Sequence, residues 1–266
     1  MRDLEKGLRT VLLQRHGKRT HLTPAGLLFQ ERARAILRQV DKSLQEVSVE
    51  LGRLHETLRV GVIPYLDLAL MPRLLGPFAE TSPGIDLSVL EISSSDIEIL
   101  LEEGRTDVGL GWMTRHSPSL QYEHLGNDRL TAVVASNHPW AKRRSIDLSE
   151  LHLQRVVQLP ETYVMRRMTD EMFRNYRIRP RTVTEINSIE MLLRSLRPLN
   201  AIGLMPRISL HSAKELDLKS IRLEGKALGL EIGVLRLINS GTNPAVAAFT
   251  ELAKTVVPRM IENTEG

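Results

Sequence analysis

The 266 residues include no cysteine. That excludes a disulfide frame, thiolate chemistry and any cysteine-ligated metal. No apolar run approaches the roughly 20 residues needed to cross a bilayer. The opening, MRDLEKGLRT, is charged where a signal peptide would be apolar. A cytoplasmic protein with no membrane partner is expected. The eight histidines are scattered, with no His-x-x-x-His spacing, and neither a G-x-x-x-x-G-K-[ST] phosphate loop nor a G-x-S-x-G elbow is present. Gly109-Leu110-Gly111 is a lone Gly-x-Gly inside a strand, which carries no phosphate-binding signal by itself. Paired carboxylates such as Glu102-Glu103 read as helix surface. An enzyme is therefore not expected: no catalytic residue, metal or cofactor is assigned. Internal repeats and low-complexity segments are also missing.

What is present is ordinary in amount: 42% hydrophobic and 26% charged residues, enough for two small domains or one large one. The net charge of +4 is uneven. Residues 1–22 carry Arg2, Lys6, Arg9, Arg15, Lys18 and Arg19 against Asp3 and Glu5, which accounts for the whole excess. A basic end of this kind suits a polyanion, most simply DNA phosphate; the competing reading is a solvated terminus.

The stretch from Thr23 to Leu54 reads as one long helix. Leu37, Val40, Leu44, Val47, Leu51 and Leu54 recur at steps of three and four, the a/d seam of a coiled coil, with Ala33 in phase upstream. Thr23 suits the N-cap and Pro24 the first turn. A seam this narrow fits a partner helix, so these six residues are the expected dimer interface; the alternative is a helix packed on its own domain. Before it, residues 2–9 read as a helix end. Val11–Gln14 and Thr20–Leu22 read as two short strands around a basic turn, Gly17-Lys18-Arg19. A hairpin tip with these cations has the shape of a DNA-binding wing.

After the helix, strands and helices alternate. Strands are expected at 58–63, 85–92 and 108–112, with helices at 66–79, where Pro72 and Pro77 should kink or shorten the helix, and at 95–103. This β-α-β-α-β order calls for right-handed crossovers and a mainly parallel sheet. Further strands are expected at 130–135, 156–159, 181–185, 201–205, 219–223 and 230–238. Helices are expected at 162–176 and 189–196, a helical turn at 207–213 and a closing helix at 244–261. A second α/β unit thus follows the first, with chain crossings near Asn127-Asp128 and near Leu235 to Ser240.

In this order the segments resemble LysR-type transcriptional regulators. RDLEKGLRTVLLQRHGKRTHLTPAG is similar to the tail of that family's winged helix-turn-helix, with Leu4-Glu5, Leu12, Arg15, Leu22-Thr23 and Ala25-Gly26 in the family's places. TLRVGVIP, RTDVGLGW, LTAVVASNHPWA, TEINSIEMLLRSL and AIGLMPR resemble strands and a helix of its effector domain. Two departures stand out. Met1 falls inside or just after the family's recognition helix, so either the true start lies upstream or this product is a dimerising sensor without competent DNA recognition. In addition, Arg9 replaces the usual Gly, and Leu13 the usual Phe.

The resemblance implies an α/β fold: a two-lobed, periplasmic-binding-protein-like effector domain preceded by a long linker helix and the remnant of a winged helix-turn-helix. The expected divisions are 1–22 (partial winged helix-turn-helix), 23–55 (linker and dimerisation helix), 56–127 with 239–266 (lobe I) and 128–238 (lobe II). The candidate DNA contacts are Arg2, Lys6, Arg9, Arg15, His16, Lys18, Arg19 and Thr23. Open α/β sheets bind ligands beyond the carboxyl ends of their strands. The effector candidates are therefore Pro64, Tyr65, Ser94, Ser95, Trp112, Met113, Asn187, Ser188, Met205 and Pro206. Ser95 and the Asn187-Ser188 pair also suit helix caps, and Met113 and Met205 also suit core positions. Helix starts at Ser94-Ser95 and Asn187-Ser188 would favour a small anion. The resemblance likewise implies small metabolites, often carboxylates, bound between the lobes. The expected function is a homo-oligomeric, dimeric or tetrameric, ligand-responsive regulator that binds promoter DNA. A DNA-blind sensor and a solute-binding protein of the same fold are the alternatives.

Overall fold

A computed structural model describes residues 1–16, 19–50, 56–113, 117–212, 216–225, 229–238 and 243–262. It divides into two compact units: Met1–Glu56 with Glu103–Arg105, and Thr57–Glu102 with Thr106–Gly266.

In the smaller unit, helix α1 (Arg2–Leu8) ends at Arg9, which adopts a left-handed conformation with φ 50°. Strands β1 (Leu13–His16) and β2 (Arg19–Leu22) pair antiparallel, Leu13 opposite Leu22 and His16 opposite Arg19. The strand expected at Val11–Gln14 starts two residues later, because the backbone at 11–13 is occupied elsewhere. Glu5 Oε1 accepts from the N–H groups of Leu12 (2.7 Å) and Leu13 (3.1 Å). The Thr23 hydroxyl donates to the Val11 carbonyl (2.7 Å) and accepts from Gly26 N–H (3.0 Å), capping helix α2 (Pro24–Glu50) while holding it to the hairpin. The Thr23 N–H donates to the Leu12 carbonyl (2.9 Å). That carbonyl lies so close to Gly26 that a Cβ there would approach it to 2.1 Å. The Thr-Pro-Ala-Gly start of α2 is thus a backbone contact that only glycine permits.

The larger unit is an α/β body whose sheet order is β4-β3-β5-β12-β6-β10-β8-β9, with β11 also on β6 and β7 on β11. The organising strand is β6 (Leu120–Ala135). Its first half pairs antiparallel with β12 (Gly229–Leu237), from Leu120 opposite Leu237 to Arg129 opposite Gly229. Its second half pairs with β10 (Ile202–Pro206) on one side and β11 (Leu218–Glu224) on the other. One continuous strand therefore serves two lobes. Lobe I adds β3 (Glu56–Val62), β4 (Ile85–Glu91) and β5 (Val108–Trp112); lobe II adds β7 (Ser145–Asp147), β8 (Arg155–Gln158) and β9 (Arg181–Glu185).

Two expectations change. The second crossing, placed near Leu235 to Ser240, lies before Gly229, since all of β12 pairs within lobe I. Residues 229–238 therefore leave the 128–238 lobe. The sheets are also mixed rather than mainly parallel. β3 runs parallel to β5, and β8 parallel to β9 and β10, but β12 is antiparallel to both β5 and β6. A chain that leaves a lobe on one strand and returns on its neighbour must run the two in opposite directions.

The cores follow from continuous apolar strands covered on both faces. In lobe I, Leu58, Val60 and Val62 of β3 and Val108 and Leu110 of β5 are buried under α3 (Pro64–Thr81) and α7 (Pro244–Glu262). There Phe78 and Phe249 meet edge to face at 5.8 Å. Helix α3 runs through Pro72 and Pro77 without being cut short; both prolines are on its exposed side, while Leu66, Leu70, Leu74 and Phe78 keep a buried stripe. Helix α4 (Ser94–Glu102) completes the lobe. In lobe II, α5 (Val164–Asn175) and α6 (Ile189–Leu199) cover β8 and β10 with Met165, Phe173, Leu192 and Leu196. At the crossing, the buried Asp128 carboxylate accepts from Ile208 N–H (3.0 Å), anchoring the 3-10 turn Arg207–Ser212 to β6. Burial holds that carboxyl above the usual range, against the pull of the Ile208 and Arg129 N–H groups and of Arg207 and Arg129.

Candidate functional site

The lobes meet where β3, β4, β8 and β9 end. Pro64, half-buried, starts α3, and Tyr65 behind it is 3% exposed. A narrow opening is lined by Tyr65 from lobe I. From lobe II it is lined by Gln158, Arg166 and Thr169 and an apolar wall including Val157, Leu159, Met165 and Leu192. The Tyr65 phenol is pushed well up from its ordinary value, by burial and then by Tyr163, so it stays protonated.

Tyr163, just before α5, donates to Asn187 Oδ1 at 2.6 Å. Its phenol is raised by burial and by the charge of Glu91 at the end of β4. Glu91 is hydrogen-bonded to Asp67, in the first turn of α3. Both carboxyls are raised, by burial first, and Glu91 further by Asp67. The hydrogen bond between them pulls Asp67 back down while it raises Glu91. Across the cleft the cation is Arg166. Its guanidinium donates to Asp170 (2.8 Å), to Glu185 (2.7 Å) and to the Leu159 carbonyl (2.7 Å). Its side chain is 10% exposed, and both carboxylates raise its pKa against the effect of burial.

The expected effector residues separate. Tyr65 and Asn187 lie around one neighbourhood, joined through Tyr163. Ser94 is buried and Ser95 exposed, and the capping hydroxyl of α4 is that of Ser93, which accepts from Asp96 N–H (3.2 Å), donates to Asp96 Oδ2 (2.7 Å) and bonds Ser95 Oγ (2.9 Å). Ser188 Oγ accepts from Met191 N–H (3.3 Å) and caps α6. Both helix starts are thus occupied by their own side chains. Trp112 is buried within β5, Met113 is exposed, and Met205 and Pro206 are buried in β10 opposite Thr131 and Leu130 of β6. None of these four lines the opening. Asp67, Glu91, Tyr163, Gln158 and Arg166 were not singled out from the sequence. The strand-end rule, extended to the segment after β8, would have found Tyr163.

At the other end of the chain, Lys6 and Arg9 are exposed on and after α1. Thr23 is engaged in capping, so its hydroxyl is committed to the fold. Lys18 lies outside the described residues, as do the side chains of Arg2, Arg15, His16 and Arg19. On α2, the expected seam is open where it is described: Val40 is 50% exposed, Leu44 62% and Val47 57%, with Ile36 one turn upstream also exposed. Leu51 and Leu54, and the side chain of Leu37, lie outside the described residues.

Two α/β lobes joined by a strand common to both, with an opening lined from each, define a two-lobed ligand-binding module. The family model for the LysR substrate binding domain matches residues 51–258, and the chain belongs to the LysR family of transcriptional regulators. A hydrogen peroxide-inducible genes activator of Pectobacterium carotovorum is 26% identical over 218 residues, 82% of this chain and 72% of that protein. Among solved structures, a full-length OxyR variant from Pseudomonas aeruginosa matches with TM-score 0.73 and 18% identity, covering 96% of this chain and 83% of that one. The effector-binding domain of BenM with benzoate matches with TM-score 0.67 and 20% identity, covering 77% and 94%. At such identities the structures share the fold. Among the described residues, no helix is long and apolar enough to cross a membrane.

Proposed function

We propose that this protein is a cytoplasmic, homo-oligomeric regulator, not an enzyme, that takes a small organic effector between its lobes and changes how paired copies hold DNA. The observation that carries the reading is β6, one strand built into both sheets. A ligand bridging Tyr65 and the lobe II wall changes the angle across that strand. By linkage, such a ligand favours whichever arrangement it binds more tightly. Residues 1–22 form the DNA-facing head, with Lys6, Arg9 and the wing cations on phosphate. Residues 23–55 pair two copies through Val40, Leu44 and Val47.

The benzoate bound by BenM supports a small organic molecule as the class of effector. The test is footprinting on DNA recovered with the protein from its own cells, with and without a molecule shown to bind the cleft. A change in footprint length or bending is expected. Bound effector with an unchanged footprint and unchanged assembly contradicts the reading.

A further inference from the structure

We propose that the end of lobe II away from the cleft is a DNA-phosphate contact, made by Arg155, Arg174, Arg177, Arg179 and Arg181 in addition to the head at residues 1–22. This rests on the reading of the protein as a DNA-bound regulator and names a further surface through which it holds DNA.

The first support is placement. β8 and β9 run side by side and parallel, and their carboxyl ends face the cleft: Gln158 lines the opening, and Glu185 pairs with Arg166. Their starts, Arg155 and Arg181, are register partners at the opposite end. The segment leading into β9 is bonded to the one leading into β8. Leu153 N–H donates to the Arg179 carbonyl (2.9 Å), Arg179 N–H to His152 Nδ1 (3.2 Å) and Arg181 N–H to the Gln154 carbonyl (2.8 Å). Helix α5 delivers the rest: Arg174 in its last turn, and Arg177, whose N–H donates to the Arg174 carbonyl (3.1 Å). Five arginines from three segments thus share one surface, and each is exposed. Residues 152–160 and 172–184 hold no Asp or Glu.

The second support is what these cations lack. Three exposed arginines elsewhere in lobe II are matched by carboxylates: Arg143 by Glu150, Arg194 by Glu190 and Arg197 by Asp217. Among the described residues, Arg174, Arg177, Arg179 and Arg181 have no ion pair. Arg155 reaches the Leu199 carbonyl (3.0 Å), which leaves its charge unmatched. Like charges on facing strand positions repel, and Arg155 and Arg181 are so placed. The dipole of α5 accounts for Arg174 and not for the arginines of the strands. Arg177 stands at φ 56° just after the helix, a place that glycine takes without strain. A surface that keeps unmatched cations together on such a backbone is arranged for an anion spread over several charges. All five are arginine, whose planar fork meets phosphate oxygens with two donors. The phosphate backbone is also the polyanion that the proposed function already brings to this protein.

The test is binding of the full chain to a random-sequence DNA duplex, followed by fluorescence anisotropy over a range of salt concentrations. A variant with Arg174→Gln, Arg177→Gln, Arg179→Gln and Arg181→Gln should bind at least about tenfold more weakly at low salt, and the slope of log affinity against log salt should fall by about one for each arginine on phosphate. The same four positions changed to lysine should restore most of the binding, because a point charge still neutralises phosphate. Urea unfolding and sedimentation of both variants should match the natural sequence, as exposed, unpaired side chains contribute little to either. A lysine variant as weak as the glutamine one overturns the proposal. So does a glutamine variant that loses poly-L-glutamate but keeps DNA, which marks an acidic protein as the partner, or one that loses DNA because it no longer assembles, which marks a contact between copies. Lys6→Gln with Arg9→Gln, in the head, separates the two levels. If that variant weakens duplex binding and the four-arginine variant does not, the lobe II contact falls and the DNA reading stands. If the natural sequence binds no duplex at low salt, both fall.

Discussion

The two units are held together by different means. The larger one buries continuous apolar faces: β3 and β5 under α3 and α7 in lobe I, and β8 and β10 under α5 and α6 in lobe II. In the smaller one, Leu12 is the sole buried apolar side chain among those described. Its order comes from backbone contacts: Glu5 on two N–H groups, Thr23 on Val11 and Gly26, and the Leu12 carbonyl above Gly26. A two-stranded hairpin and one helix are marginal by themselves. The same unit leaves Ile36, Val40, Leu44 and Val47 in a row on one helix face. The contrast teaches that the body buries its own apolar faces, while among the described residues the row on α2 is exposed, as the proposed pairing of two copies requires. A covering partner with the same seam is the economical answer, because heptad faces are self-complementary.

That contrast can be tested at several points. The largest effect belongs to the body: Phe78→Ala removes a fully buried ring packed on Phe249 and should cost about 3–5 kcal/mol in urea unfolding. In the head the sensitive point is backbone. Gly26→Ala places a methyl against the Leu12 carbonyl and should cost about 1–3 kcal/mol, seen as faster hydrogen exchange in residues 1–30 with the body unchanged. A comparable loss from Gly26→Ala in the exchange of lobe I would erase the distinction.

A smaller effect concerns pH. Asp67 and Glu91 are raised in the folded state, so folding binds extra protons there. Their contribution is fully present at low pH and is lost as pH rises above the ordinary carboxylate range. Asp67→Asn should therefore raise the thermal midpoint at neutral pH and flatten its fall between the ordinary carboxylate pKa and pH 7. A variant that is less stable at pH 7 with the slope intact would show the pair to be unimportant. The smallest effect is at Arg9, a non-glycine residue at φ 50°. Arg9→Gly relieves that conformation and should stabilise the head by less than about 1 kcal/mol, since glycine also frees the unfolded chain.

Much of the body was legible in the sequence, because a buried strand writes itself as an apolar run: LRVGVI, VGLGW and AIGLMP are β3, β5 and β10 within a residue or two. The first half of β6 was not. Gln121, Glu123, His124 and Asn127 interrupt any period of two, because this stretch crosses between lobes, and Glu123 is paired with Lys254 of α7 rather than with a core. The second crossing was displaced for the same reason, since β12 reads as a strand without saying which lobe receives it. β7 has three residues, too few for a pattern. Tyr65 was singled out from a strand end and Asn187 from a helix start, and Tyr163 stands between them. The carboxyl pair was not, because Asp67 and Glu91 meet only through the folding of β4 beside β3. The family motifs Leu4-Glu5 and Leu22-Thr23-x-Ala25-Gly26 were visible as text, and their physical sense is the set of hydrogen bonds around Leu12 and Gly26.

The proposed regulator requires the row of apolar side chains on α2 to be covered by a second copy. Sedimentation equilibrium of the full chain, beside a Val40→Asp, Leu44→Asp, Val47→Asp triple variant, addresses this most directly. The account predicts a dimer or tetramer for the natural sequence and a folded monomer for the variant, with the body's urea unfolding unchanged. A natural sequence that stays monomeric at the highest accessible concentration, or a triple variant that assembles as before, would contradict it.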